Sequence, residues 1–341
     1  MNIKMRQAQY CNLKLMLIFL VIYGHVIEDK IVESWFLMMQ YKLIYMVHMP
    51  LFVFLSGFFL KTEKGSLKQA IWAFKTYFIC QCIAMIIGYL KGETKTLWTP
   101  YWHLWYLLSL GYWCLICYGW YWLVRHVPKV NGTIVKAMIL IFTIVAACLV
   151  GGNGEIGRFL SLSRSIVFLP YLLAGMFCPK DICWKKYRVV TIALLFLCII
   201  LIRKRVGEIS YFFLYHASAY GKLGLKNGVV RRLLCYLFGA GLGGSFLTLF
   251  SGSRRTSWSK MGVDTKWMYL FHAPIVIILE TLEIPLKLFL FIAPIIAIYI
   301  IIVLYKVFQW NIPICGIDIG KYRSKKYILR KKRGNVYDGL G

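Results

Sequence analysis

The chain has 341 residues, 60% of them hydrophobic and 17% aromatic, with a mean hydropathy of +0.66. Soluble domains run nearer half apolar, so this composition excludes an ordinary water-soluble fold and indicates repeated membrane crossing. Lys and Arg number 41 against 13 Asp and Glu, a formal charge of +28; with no polar, basic domain to carry it, this charge reads as loops facing anionic headgroups and excludes nucleic-acid binding.

Apolar runs recur at about 13–30, 43–60, 70–90, 104–124, 134–150, 165–178, 189–202, 233–250, 267–283 and 286–305. They predict an all-α, polytopic transmembrane helix bundle of about ten spans. The segment after Met1–Asn12 lacks a small-residue cleavage site, so the first run is expected to stay in place as a span. Lys4, Arg6, Lys61, Lys64, Lys68, Arg125, Lys129 and Lys136 fall on one side of such a bundle, with "PKDICWKKYR", "SGSRRTSWSK" and "KYRSKKYILRKKRG". Both termini are therefore expected in the cytoplasm. The segment 203–232, with "RKR" and "RR" around an aromatic loop, goes against that pattern. The expected organisation is one integral membrane domain over 1–305 and a basic cytoplasmic tail over 306–341.

The first run, "NLKLMLIFLVIYGHVIEDK", carries Lys14, His25 and Glu28. Ionisable groups inside a bilayer are expensive, so each one raises a functional hypothesis. On a helix, eleven residues make three turns to within about 20°, so Lys14 and His25 share a face roughly 16 Å apart. Glu28 follows one turn beyond His25. This stripe is either the wall of a lined passage or a snorkelling lysine with an interfacial histidine.

Further along, "YMVHMPLFVFLSGFF" sets His48 two residues before Pro50, whose missing N–H frees a backbone carbonyl. "PYWHLWYLLSL" sets His103 among Trp and Tyr, "LSRSIVFLPYLLAGM" sets Arg164 at the entry of a span, and "WMYLFHAPIVI" sets His272 inside one. His126 and His216 read as loop or edge residues. Most of the eleven cysteines lie in apolar runs and read as packing residues. The lone C-x-x-C of "WCLICYGW" has no second pair or nearby His, and no metal site is expected.

Together these stretches resemble, in order and over nearly the whole chain to about residue 305, the acyltransferase 3 family of integral membrane acyltransferases, and within it the fucose-4-O-acetylase-like branch. The family's basic-residue-x10-His pattern falls on Lys14 and His25. Cys11 stands where an Asp is common. The resemblance implies ten spans and an acyl donor, acetyl-CoA or a related acyl-CoA, taken from the cytoplasm. It also implies delivery to a hydroxyl of a carbohydrate acceptor at the surface of a bacterial cytoplasmic membrane.

The chemistry suits the residues. A sugar hydroxyl needs a base to attack a thioester, and the imidazole of His25 titrates in the right range. Glu28 is placed to orient the ring or stabilise its cation. His48 or Arg164 would donate to the oxyanion. Lys14 suits the phosphates of CoA. The loop 207–227, with Tyr215, offers aromatic faces to a sugar and lysines to an anionic polymer. Supporting roles fall to His103 and His272. Transfer runs directly or through an acetyl-imidazole. The competing functions are a transporter or flippase, which also keeps charges inside spans, and a non-catalytic member of the family. Oligomeric state is left open by the sequence.

Overall fold

The computed structural model describes residues 3–309 except 155, 206–208, 264 and 283. The basic tail expected over 306–341 lies outside the described residues beyond Gln309, as do Gly207 and Glu208 of the aromatic loop and the side chains of Lys4 and Arg6. Among the described residues there are helices and turns but no strands. The helices are α1 (Ile3–Ile27), α2 (Trp35–Phe59), α3 (Glu63–Leu90), α4 (Trp105–His126), α5 (Thr133–Val150) and α6 (Leu162–Phe177). They continue with α7 (Arg188–Arg205), the short α8 (Tyr211–Leu214), α9 (Gly228–Leu249), α10 (Thr265–Glu280) and α11 (Leu286–Gln309).

Among the described residues, eight helices, α1 to α6, α9 and α11, are long and apolar enough to cross a membrane, some with an adjoining 3-10 turn. Two further helices occupy the remaining expected runs. At 16 residues, α10 spans about 24 Å, less than a hydrocarbon core of about 30 Å. The other, α7, carries Arg188, Arg203, Lys204 and Arg205 at its ends. The expectation of about ten spans thus becomes eight that satisfy length and composition.

Helix starts follow local chemistry. Ser34 caps α2 by accepting from the Leu37 N–H, and Thr62 caps α3 by accepting from the Gly65 N–H at 3.2 Å. Ile71 and Phe78 on α3, Phe142 on α5 and Phe291 on α11 remain exposed, the last at 77%. An apolar perimeter of this kind suits lipid tails, not water.

Because lipid is as apolar as leucine, contact between helices depends on close packing and interhelical hydrogen bonds. The α2–α6 pair supplies the first. A Cβ on Gly57 would overlap the Leu172 carbonyl, and one on Gly175 would overlap the Phe54 carbonyl. The two glycines therefore let these backbones touch. The α4–α6 pair supplies the second: Ser109 Oγ meets Ser165 Oγ at 2.7 Å, and Trp113 Nε1 donates to the Ser165 carbonyl at 2.9 Å. Such bonds contribute roughly 1 kcal/mol each in a membrane.

Helix α1 runs through the centre, against α2, α10, α11 and the 3-10 segment Trp258–Val263. Asn12 ties it to that segment and the loop before it, accepting from Ser259 Oγ at 2.5 Å and donating to Ser253 Oγ at 3.1 Å. Gly262 presses against the Cys11 carbonyl, leaving no room for a side chain there. The Lys14 end of α1 is thereby held in a fixed frame.

Candidate active site

Two cavities lie along α1. The larger, of about 450 Å³, is lined by Lys14, Lys61 and Lys266 with Ser56, Gln69 and Trp72. The smaller, of about 210 Å³, is lined by His25, Glu28, His48, His103, Arg164 and Tyr215 among others. Val21, Met49, Tyr106 and Tyr269 line both cavities, so these four side chains form the partition between them. Six of the eight predicted site residues thus meet in one chamber, and Lys14 belongs to the neighbouring one.

The His25 ring is fixed from several sides. Its Nδ1 lies 3.0 Å from Glu28 Oε2, so the carboxylate accepts the Nδ1 proton and Nε2 is the basic nitrogen. The other Glu28 oxygen accepts from the Tyr215 hydroxyl at 2.9 Å, and Tyr215 meets the Tyr41 hydroxyl at 2.8 Å. This hydrogen-bonded chain joins α1, the loop after α8 and α2. Burial, aided by the Glu28 charge, pushes the Tyr215 phenol up, so it remains a donor. Trp102 packs edge-on to the imidazole at 4.6 Å between ring centroids, and His272 stacks on it at 5.3 Å.

The remaining predicted residues divide by what they can donate. His48 Nδ1 lies 2.6 Å from the Ile44 carbonyl. A carbonyl only accepts, so the neutral ring is protonated at Nδ1 and presents a lone pair at Nε2. Arg164 donates its Nε–H to the Tyr215 carbonyl at 2.8 Å and lies 4.9 Å from the Trp105 ring. Its guanidinium is a donor at any physiological pH. His272 is fully buried behind His25, off the chamber wall, its Nδ1 bonded to the Tyr269 carbonyl at 2.8 Å. Among the described residues, no hydrogen-bond partner meets its Nε2 or either nitrogen of the buried His103. Unpaired buried polar atoms cost about 1–3 kcal/mol each and collect at functional sites.

In the larger cavity, Lys14 Nζ donates to the Val263 carbonyl at 3.2 Å. Lys61 reaches three carbonyls at the end of α6, those of Gly175, Met176 and Cys178, at 2.6–3.0 Å. Desolvation lowers its ammonium to about 8. Lys266 extends over Trp72 at 4.9 Å.

Backbone strain gathers around the smaller chamber. Among the described residues, the non-glycine positions with positive φ are Trp102, Leu160, Ser161 and His216. Trp102 lines the chamber, His216 follows Tyr215, and Leu160 and Ser161 separate Arg158 from Arg164, both on its wall. Such conformations cost about 1–3 kcal/mol each and persist where surrounding contacts impose them.

Tyr41, Trp102, Arg158 and Lys266 carried no functional signal in the sequence, and Lys61 looked like an ordinary loop cation. His216, expected as a loop or edge residue, is buried at 6% exposure and accepts at Nδ1 from Arg232, itself 1% exposed. Burial, then the Arg232 and Arg164 charges, push its pKa down. The basic pair that disturbed the loop-charge pattern is therefore partly internal: Arg232 helps hold the aromatic loop. Among the described residues, no group of His, Cys, Asp and Glu has the geometry of a metal site.

Residues 11–307 match the profile of a family described as an acyltransferase domain. No curated protein and no solved structure matches the chain. With most of its length inside that profile, and with a bundle of apolar helices around a histidine–carboxylate pair, the chain belongs to the acyltransferase 3 family and is a multi-pass membrane acyltransferase.

Proposed function

We propose that this acyltransferase moves an acetyl or other acyl group from cytoplasmic acyl-CoA to a hydroxyl of an exported or cell-surface carbohydrate, in a bacterial cytoplasmic membrane. The observation that carries the reading is the His25–Glu28 pair in a small chamber that shares a wall with a lysine-lined one. The resemblance of "NLKLMLIFLVIYGH" and "HMPLFVFLSGFF" to the fucose-4-O-acetylase-like branch supports a carbohydrate acceptor and an acetyl donor.

The anionic phosphates of CoA suit Lys14, Lys61 and Lys266, three cations on that wall. The thioester then reaches the partition formed by Val21, Met49, Tyr106 and Tyr269, and the acceptor hydroxyl approaches from the opposite chamber. His25 Nε2 takes the hydroxyl proton as the oxygen attacks the thioester carbonyl. A C–O bond forms, the C–S bond breaks, and the proton passes to the CoA thiolate. Glu28 and Tyr215 hold the tautomer and stabilise the imidazolium. Arg164 is the better oxyanion donor, because His48 in its neutral form presents a lone pair. The alternative order, attack by His25 to give an acetyl-imidazole followed by transfer, uses the same groups.

The test is purified full-length protein given radiolabelled acetyl-CoA and a carbohydrate acceptor. Acyl transfer that disappears in His25→Ala supports the reading. Undiminished transfer in that variant removes His25 as the base, and carbohydrate movement without acyl transfer favours a transporter.

A further inference from the structure

Among the described residues, the wall of the His25 chamber carries two arginines and one carboxylate, and the carboxylate is occupied. Glu28 is held by His25 and Tyr215. Arg158 is exposed in the loop before α6, and no ion pair among the described residues includes Arg158 or Arg164. The two are close enough to interact electrostatically.

Their placement is imposed by a rigid turn. Leu160 at φ 46° and Ser161 at φ 57° lie between them in left-handed conformations that side chains disfavour. The turn is fixed by the Leu160 N–H on the Trp98 carbonyl at 2.7 Å and by Ser161 Oγ against Ser109 Oγ at 3.2 Å. Backbone strain maintained by such contacts marks a place where side-chain position matters. Among the described residues, the polar wall beyond these arginines and Glu28 is made mainly of hydroxyl and imidazole groups, with no Asn, Gln or Asp. Guanidinium groups match the oxygens of a carboxylate or phosphate in pairs.

We propose that the acceptor is an anionic carbohydrate, one bearing a carboxylate or a phosphate, and that Arg158 holds its charged group while Arg164 faces the reacting carbonyl and a hydroxyl meets His25. This rests on the acyl-transfer reading above.

The experiment uses full-length protein in nanodiscs with labelled acetyl-CoA and three matched acceptors: a methyl hexoside, the corresponding methyl hexuronide and the hexoside 6-phosphate. The expected result is kcat/KM about tenfold higher for an anionic acceptor than for the neutral one, the gain of one charge-assisted hydrogen-bonded contact. That preference falls as salt rises. The uronide and phosphate arms separate the two sources of charge. Arg158→Gln brings the anionic-to-neutral ratio close to one, Arg158→Lys keeps part of it, and Arg158→Glu reverses it. Equal rates for all three acceptors, or a ratio unchanged in Arg158→Gln, overturn the anionic acceptor and leave acyl transfer standing. CoA released with none of the acceptors, and no acylated product, overturns the acyl-transfer reading and this inference with it.

Discussion

The two cavities share four side chains and little else. The Lys14 chamber is the roomier, and its polar wall consists mainly of three lysines and single hydroxyls. The His25 chamber has less than half the volume, and its polar groups are locked by a chain of bonds from His25 through Glu28 and Tyr215 to Tyr41. A compartment that only has to hold a long anionic molecule can rely on point charges. One in which a proton must move needs a ring fixed in one tautomer and orientation. The strained residues follow the same division, all of them at or beside the smaller chamber.

The comparison breaks first at His25. His25→Ala is expected to lower transfer by on the order of a thousandfold while the protein still elutes as a folded species, because general-base contributions run from about 10² to 10⁴. Glu28→Gln comes next, at about a hundredfold in kcat, since the amide loses the charge opposite the imidazolium and permits the wrong tautomer. Tyr215→Phe removes one donor to that carboxylate, and a fall of about tenfold in kcat with an unchanged KM for acyl-CoA is expected.

Lys14→Met sharpens the contrast from the other side. It should raise KM for acyl-CoA several-fold, at little cost to kcat, and flatten the dependence of KM on salt. The smallest effect is the pH dependence at Lys61. Its ammonium is charged below about 8 and neutral above. Affinity for the anionic donor should therefore weaken as pH rises through that value, and Lys61→Met should abolish the inflection. An inflection that persists in the variant assigns it to another group.

The helices were legible because apolar runs of spanning length have few other uses. The chamber was legible because His25, Glu28, His48, His103 and Arg164 are costly in a membrane, so their presence marks a place where polar groups meet. What the sequence hid depends on contacts between distant segments. Tyr41 looks like any tyrosine in an apolar helix until Tyr215, 174 residues later, bonds to it. Lys61 looks like a positive-inside lysine until α6 brings three carbonyls to it. The buried Arg232 was likewise counted with a loop, because composition cannot distinguish a cation at the surface from one folded under a loop. The left-handed turn at Leu160 and Ser161 has no glycine to signal it.

The central claim is that donor and acceptor meet at His25 from opposite ends of α1. The most direct measurement is sided transfer with the protein oriented in sealed vesicles, labelled acyl-CoA supplied to one face and a carbohydrate acceptor to the other. The account predicts product only when the donor is on the face nearer Lys14, and none from either face in His25→Ala. Product formed equally well with donor and acceptor exchanged would contradict it.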